Sequence, residues 1–174
     1  MISIRDAEPA DIVQVTTIYR DAVMTGTGSF EIEPPDETEM AARHARITGN
    51  GYPYLVACEG QSVLGYAYAS AYRDRPAYRF TVEDSVYVRM DCQGRGVGAA
   101  LLARLILEAE ARGYRQMVAV IGDRANAGSI RLHRNAGFAA TGSLRAAGWK
   151  HGRWLDVVLM QRMLGAGSTA APDE

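Results

Sequence analysis

The run Gln93-Gly94-Arg95-Gly96-Val97-Gly98 constrains this chain more than any other stretch. It stands between a strand-forming segment, Thr81 to Val88, and a segment whose Leu101, Leu102, Leu105 and Ile106 recur at helical spacing. A strand that turns through glycines into an amphipathic helix belongs to an α/β layer architecture. Glycines at such a turn let the backbone approach a ligand closely, and the free N–H groups at the helix start attract phosphate. No Gly-Lys-Ser/Thr follows, so this is not a Walker loop. Gly94, Gly96 and Ala99 satisfy the dinucleotide pattern superficially, but too few strands follow for a doubly wound sheet. A tight turn without a ligand is the plain alternative.

The rest of the chain supplies partners for that unit. Ile2 to Arg5 reads as a first strand. Ile12, Val15, Tyr19, Ala22 and Val23 then share one helical face. From Gly26 to Pro35 periodicity stops in a loop of Gly, Thr, Ser and Pro around the single aromatic Phe30. Asp36 and Glu39 form a capping pair that opens a second helix, ended by Gly49-Asn50-Gly51. Tyr54 to Cys58 and Val63 to Ala71 flank a turn and read as a hairpin. After the glycine loop and its helix come a strand from Gln116 to Ile121 and a short helix from Asn126 to Asn135. The last strands are expected at Phe138 to Leu144 and Trp154 to Met160, with Gly148 to Arg153 between them. Residues 1–164 read as a single domain and 165–174, small and polar, as a disordered tail.

Composition narrows the function. The 174 residues carry 19 Lys+Arg against 20 Asp+Glu, a net charge of -1, so nothing points to a general nucleic-acid or anionic-membrane surface. Cys58 and Cys92 stand alone without metal or redox spacing, so no metal is expected. No apolar run approaches the roughly 20 residues of a membrane helix, and the N-terminus has no signal-like region; the expected location is the cytoplasm.

Several motifs in order carry a closer likeness. Gln93-x-x-Gly96-x-Gly98 resembles the acetyl-CoA pyrophosphate loop of the GNAT-type N-acetyltransferases. The strand Thr81-Val82-Glu83-Asp84-Ser85-Val86-Tyr87-Val88, the segment Asn126-x-x-Ser129-Ile130-x-Leu132-His133 with Gly137-Phe138, and Gly148-x-Lys150-x-Gly152-Arg153-Trp154-Leu155-Asp156-Val157 resemble the phosphinothricin and methionine sulfoximine acetyltransferase branch. That resemblance implies a mixed, strongly twisted sheet flanked by helices, with two central strands splayed to admit the pantetheine arm of acetyl-CoA. It also implies a homodimer, and a small amino-acid analogue as acceptor. Acetyl-CoA would be held by backbone along Val86, Tyr87 and Val88, by Gln93, Gly94, Arg95, Gly96, Val97 and Gly98, and by Asn126 and Ser129. An Asn capping the short helix is the competing reading for Asn126.

Acetyl transfer to an amine needs the amine deprotonated. Glu83, a carboxylate amid strand formers, can take that proton directly or through one water; an ion pair with Arg79 or Arg89 is the alternative. Asp84 falls on the opposite face of the strand, whereas Ser85 returns to the Glu83 face. His133 can protonate the departing thiolate or merely orient groups around it. Arg73 and Arg75, amid Tyr72 and Tyr78, suit the carboxylate of an amino-acid-like substrate, and Phe30 can close the acceptor pocket or simply anchor its loop. Rival readings are another amine acceptor, such as a polyamine, an antibiotic or a protein N-terminus, or a silent acetyl-CoA-binding module.

Overall fold

Strand-forming and helix-forming segments alternate so that helices cover both faces of one open sheet. The computed structural model describes residues 1–172 of the chain. Its elements, in order, are β1 (Ser3–Asp6), α1 (Ile12–Thr25), α2 (Glu37–Gly49), β2 (Tyr54–Glu59), β3 (Ser62–Ala71), β4 (Thr81–Val88), α3 (Val97–Ala111), β5 (Gln116–Gly122), α4 (Ala127–Asn135), β6 (Ala139–Lys150) and β7 (Arg153–Met163). The seven strands lie in the order β1-β2-β3-β4-β5-β7-β6, and every neighbouring pair is antiparallel except β4 with β5. The sheet is therefore mixed, as expected.

Alternation along the strands feeds two cores. On one face, Val82 of β4 and Leu64 of β3 pack with Leu101, Leu102 and Leu105 of α3, with Val86 and Val88 alongside. On the other, Tyr54 of β2 and Tyr66 of β3 pack with Val15, Ile18, Tyr19 and Val23 of α1 and Met40 of α2, with Tyr68 and Tyr87 alongside. Glu83, Ser85 and Tyr87 point to this second face, because side chains alternate along a strand.

The parallel pair is the feature that matters for function. Its register runs only from Thr81↔Gln116 to Asp84↔Ala119, although β4 continues to Val88 and β5 to Gly122. Beyond Asp84 the two central strands part, which is the splay expected from the resemblance. Among the described residues, the β5-facing edge of β4 has no strand partner from Ser85 onward.

The C-terminal hairpin differs from expectation. Its strands run through the Gly148–Arg153 segment, pairing Gly148↔Leu155, Trp149↔Trp154 and Lys150↔Arg153, so only His151 and Gly152 turn. A register shift between Leu144 and Gly148, with Ala146 at φ +48°, interrupts the alternation that would mark a longer strand. Within the expected tail, residues 165–172 form turns in which Gly167 N–H donates to the Leu164 carbonyl and Arg115 reaches the Ala171 carbonyl; residues 173 and 174 lie outside the described residues.

Candidate active site

At the end of β4 a short 3-10 turn, Met90–Cys92, leads into the glycine loop. Gly94 and Gly96 adopt φ of +76° and +82°, a left-handed conformation that costs other residues roughly 1–2 kcal/mol each. Gly96 is the N-cap of α3 and, lacking a side chain, leaves the first amides of the helix open. Gly98 sits against Val88 and Leu132, so helix, strand and α4 converge here. Val97 is buried in the core, while Gln93 and Arg95 are exposed. Arg95, expected at phosphate, lies 3.2 Å from Glu59.

Glu83 stands on the face opposite α3. Burial pushes its carboxyl up to about 6, with the neighbouring Asp84 adding to the rise and Arg73 opposing it. Arg73, whose guanidinium lies 5.1 Å from the Tyr72 ring centroid, is thus electrostatically within reach of Glu83, whereas exposed Arg75 caps the turn Pro76–Tyr78. Ser85 stands opposite Tyr68, its cross-strand neighbour on β3. The Tyr87 ring stacks on Tyr66 at 5.2 Å and meets the Tyr19 edge at 5.0 Å, which leaves its backbone as the part that faces the splay.

His133 is not brought to Glu83. It lies on the other face of β4, buried, with Nε2 2.8 Å from Asp84 Oδ2 and Nδ1 2.8 Å from the Ser129 carbonyl. An imidazolium satisfies both acceptors at once. Burial pushes the His133 pKa down, but the Asp84 hydrogen bond and charge outweigh it, and the net shift is upward. Asn126 caps α4 by accepting from the Ser129 amide, so its capping reading holds in the fold. Asp84 was readable as a carboxylate on the strand face opposite Glu83, but its partner, 49 residues away, was not.

The loop between α1 and α2 closes over this end of the sheet. Phe30 is wedged between two glycines: a Cβ at Gly122 or at Gly148 would run into its ring. Ser29 and Glu31 both bond the Tyr19 hydroxyl, at 2.9 and 2.8 Å. Two further groups matter here: Lys150, which the sequence marked only as part of the hairpin motif, and Asp123, which it did not mark. Lys150 is 4% exposed and donates to the Ser29 carbonyl at 2.8 Å. Asp123, in the left-handed region at φ +68°, accepts from the Ala125 amide, Thr27 and Arg153. An Asp directly after a strand-ending glycine is the signal for such a position, because Asp tolerates that conformation better than most residues.

The same architecture recurs among known proteins. Residues 15–138 match the Acetyltransferase (GNAT) family. The chain is 50% identical to a phosphinothricin N-acetyltransferase of Alcaligenes faecalis, over 98% of this chain and 87% of that one. It is 44% identical to an L-methionine sulfoximine/L-methionine sulfone acetyltransferase of Pseudomonas aeruginosa, over 91% of this chain and 92% of its relative. A crystal structure of a phosphinothricin acetyltransferase from Sinorhizobium meliloti in complex with AcCoA superposes with a TM-score of 0.96 at 52% identity, over 99% and 94% of the two chains. The chain belongs to the GNAT acetyltransferase family.

Proposed function

We propose that this enzyme transfers the acetyl group of acetyl-CoA to the free α-amine of a small amino-acid analogue of the phosphinothricin, methionine sulfoximine or methionine sulfone type. One observation carries the reading. A carboxyl raised to about 6 stands two residues before the point where β4 loses its strand partner and leads to the glycine loop. The residues present fit the co-substrate: an unpaired β4 edge can hydrogen-bond a pantetheine arm, and the amides at Gly96–Gly98 can take the pyrophosphate. Acetyl-CoA supplies a thioester whose acyl group is already activated for transfer.

Glu83 takes the proton of the ammonium, directly or through one water; the amine attacks the thioester carbonyl without a covalent enzyme intermediate, and as the C–S bond breaks the proton still on the nitrogen goes to the departing thiolate. A backbone N–H along Val86–Val88 steadies the carbonyl oxygen as charge grows on it. Arg73 receives the acceptor's carboxylate, with Arg75 at the mouth and Phe30 and Ser85 forming the wall. For His133, engagement of both ring nitrogens favours holding α4 against β4 over protonating the thiolate. A second copy fits the β6–β7 arm, where Trp149 and Trp154 stand 56% and 62% exposed and touch edge to face; this supports a homodimer. Two free buried thiols suit the reducing cytoplasm.

The deciding measurement is thiol release from acetyl-CoA with methionine sulfoximine, methionine sulfone, phosphinothricin, a polyamine and a peptide N-terminus side by side. Preference for the first three is expected. Preference for a polyamine or peptide would overturn the acceptor class, and no release with any amine would leave a binding module.

A further inference from the structure

The loop from Gly26 to Ser29 has no regular structure of its own, yet three side chains from distant elements grip it. Lys150 Nζ donates to the Ser29 carbonyl at 2.8 Å, and His151 Nε2 lies 3.2 Å from the Gly26 carbonyl. Thr27 Oγ1 donates to Asp123 Oδ2 at 3.1 Å. Lys150 ends β6 and His151 lies in the turn to β7, while Arg153, the first residue of β7, also donates to Asp123 Oδ2. The Asp123 carboxylate thus joins the loop, the hairpin and, through the Ala125 amide, the start of α4. Donation by Ala125, Arg153 and Thr27 outweighs burial and keeps that carboxyl below its usual range.

We propose that Asp123 and Lys150 are positioning residues for the acceptor site: they latch loop 26–31 to the β6–β7 turn and so fix the wall that Phe30 presents to the substrate. The inference rests on the reading that the acceptor sits on the Glu83 face beneath that loop. Two contacts place the loop in that chamber. Tyr19 bonds Ser29 and Glu31 while its ring meets Tyr87, and Tyr87 shares a face with Glu83 and Ser85. The latch also gives a role to the Gly148-x-Lys150-x-Gly152-Arg153 motif, which holds none of the groups assigned to proton transfer. Gly148 admits the Phe30 ring, and Lys150 and Arg153 hold the loop that carries it.

A buried ammonium bonded to one carbonyl, with the Glu31 charge nearby, is costly to leave in place without that carbonyl. Loop and hairpin are therefore held together or lost together. Lys150→Met keeps the side chain's length and removes the donor; Asp123→Asn keeps tolerance of the left-handed backbone and removes the charge; Thr27→Val removes one hydroxyl from the partly exposed side. Loss of a charge-assisted bond should raise the acceptor KM by about tenfold, while the acetyl-CoA KM stays within about twofold of wild type. Thr27→Val should shift it less.

Two readouts decide the matter. Steady-state kinetics with methionine sulfoximine tests the split between the two KM values; a parallel rise in both, or no rise in the acceptor KM, overturns the latch. Amide hydrogen exchange at residues 27–31 is independent of turnover. It should accelerate in Lys150→Met and Asp123→Asn while β2 and β3 stay protected. Unchanged exchange overturns the latch even if no amine is acetylated, whereas an inactive wild type with a latched loop overturns only the functional reading. If Asp123→Asn does not fold, Thr27→Val and Lys150→Met carry the same two tests.

Discussion

Glu83 and His133 are both ionisable, both buried in part, and separated by the thickness of one strand, yet their environments push them to different ends. Glu83 loses solvation, and the charge of Arg73 opposes the rise without cancelling it, so its carboxyl rises to about 6. As a base it must be ionised, and kcat/KM should therefore climb with pH through about 6 and fall on the acid side. Glu83→Gln should lower kcat by about 10²–10⁴-fold with the acetyl-CoA KM unchanged, and it should remove the acid limb of the pH profile. The same substitution should raise the melting temperature at pH 7–8. A carboxyl whose folded pKa is raised destabilises the fold once ionised, and the amide is free of that cost. His133 carries the opposite sign of charge. Its raised folded pKa means that its pairing with Asp84 stabilises fully below the ordinary value of about 6.5 and is lost as pH rises through the folded value. His133→Gln should then cost about 3 kcal/mol at pH 6, the scale of breaking a buried pair. Denaturant titrations of both proteins from pH 6 to 9 should find that cost shrinking.

At the scale of elements, the glycine loop and the splay act together. Gly96→Ala should destabilise the chain by about 1–2 kcal/mol and weaken acetyl-CoA binding more than amine binding, which calorimetry with each ligand can separate. Much of this was legible beforehand. Periodicity located α1, α3 and the strands around them, and three spaced glycines marked the loop before α3. Alternation put Asp84 and Glu83 on opposite faces, as they are. The parting of β4 from β5 was not readable from periodicity, because a strand reads the same whether or not its neighbour follows it; only the family resemblance implied it. The full length of β6 was hidden by Gly142, Ala146 and Gly148, which break the period-2 pattern at the bulges. Lys150 and Asp123 were invisible as anchors for another reason. Their partners Ser29 and Thr27 lie 121 and 96 residues away, and no local pattern encodes contacts that only the finished fold creates.

Across the whole molecule, the sheet is covered by helices at its centre and bare at one end. The β6–β7 arm carries Leu144, Trp149 and Trp154 in the open, a patch of the kind that protein contacts cover. Trp154→Glu should convert a dimer to a monomer in light scattering while leaving the fold's circular dichroism intact; a wild type that already runs as a monomer would refute the pairing. The parting of β4 and β5 has a different consequence. It creates sheet edges in the middle of the protein, where edges are normally confined to the margins and guarded against foreign strands. Acetyl-CoA laid in that cleft would act as a temporary strand. At a hundred times its Kd, a ligand stabilises the folded state by about 2.7 kcal/mol. The enzyme should accordingly resist proteolysis and aggregation best when acetyl-CoA is plentiful, so that its survival tracks the supply of its own co-substrate.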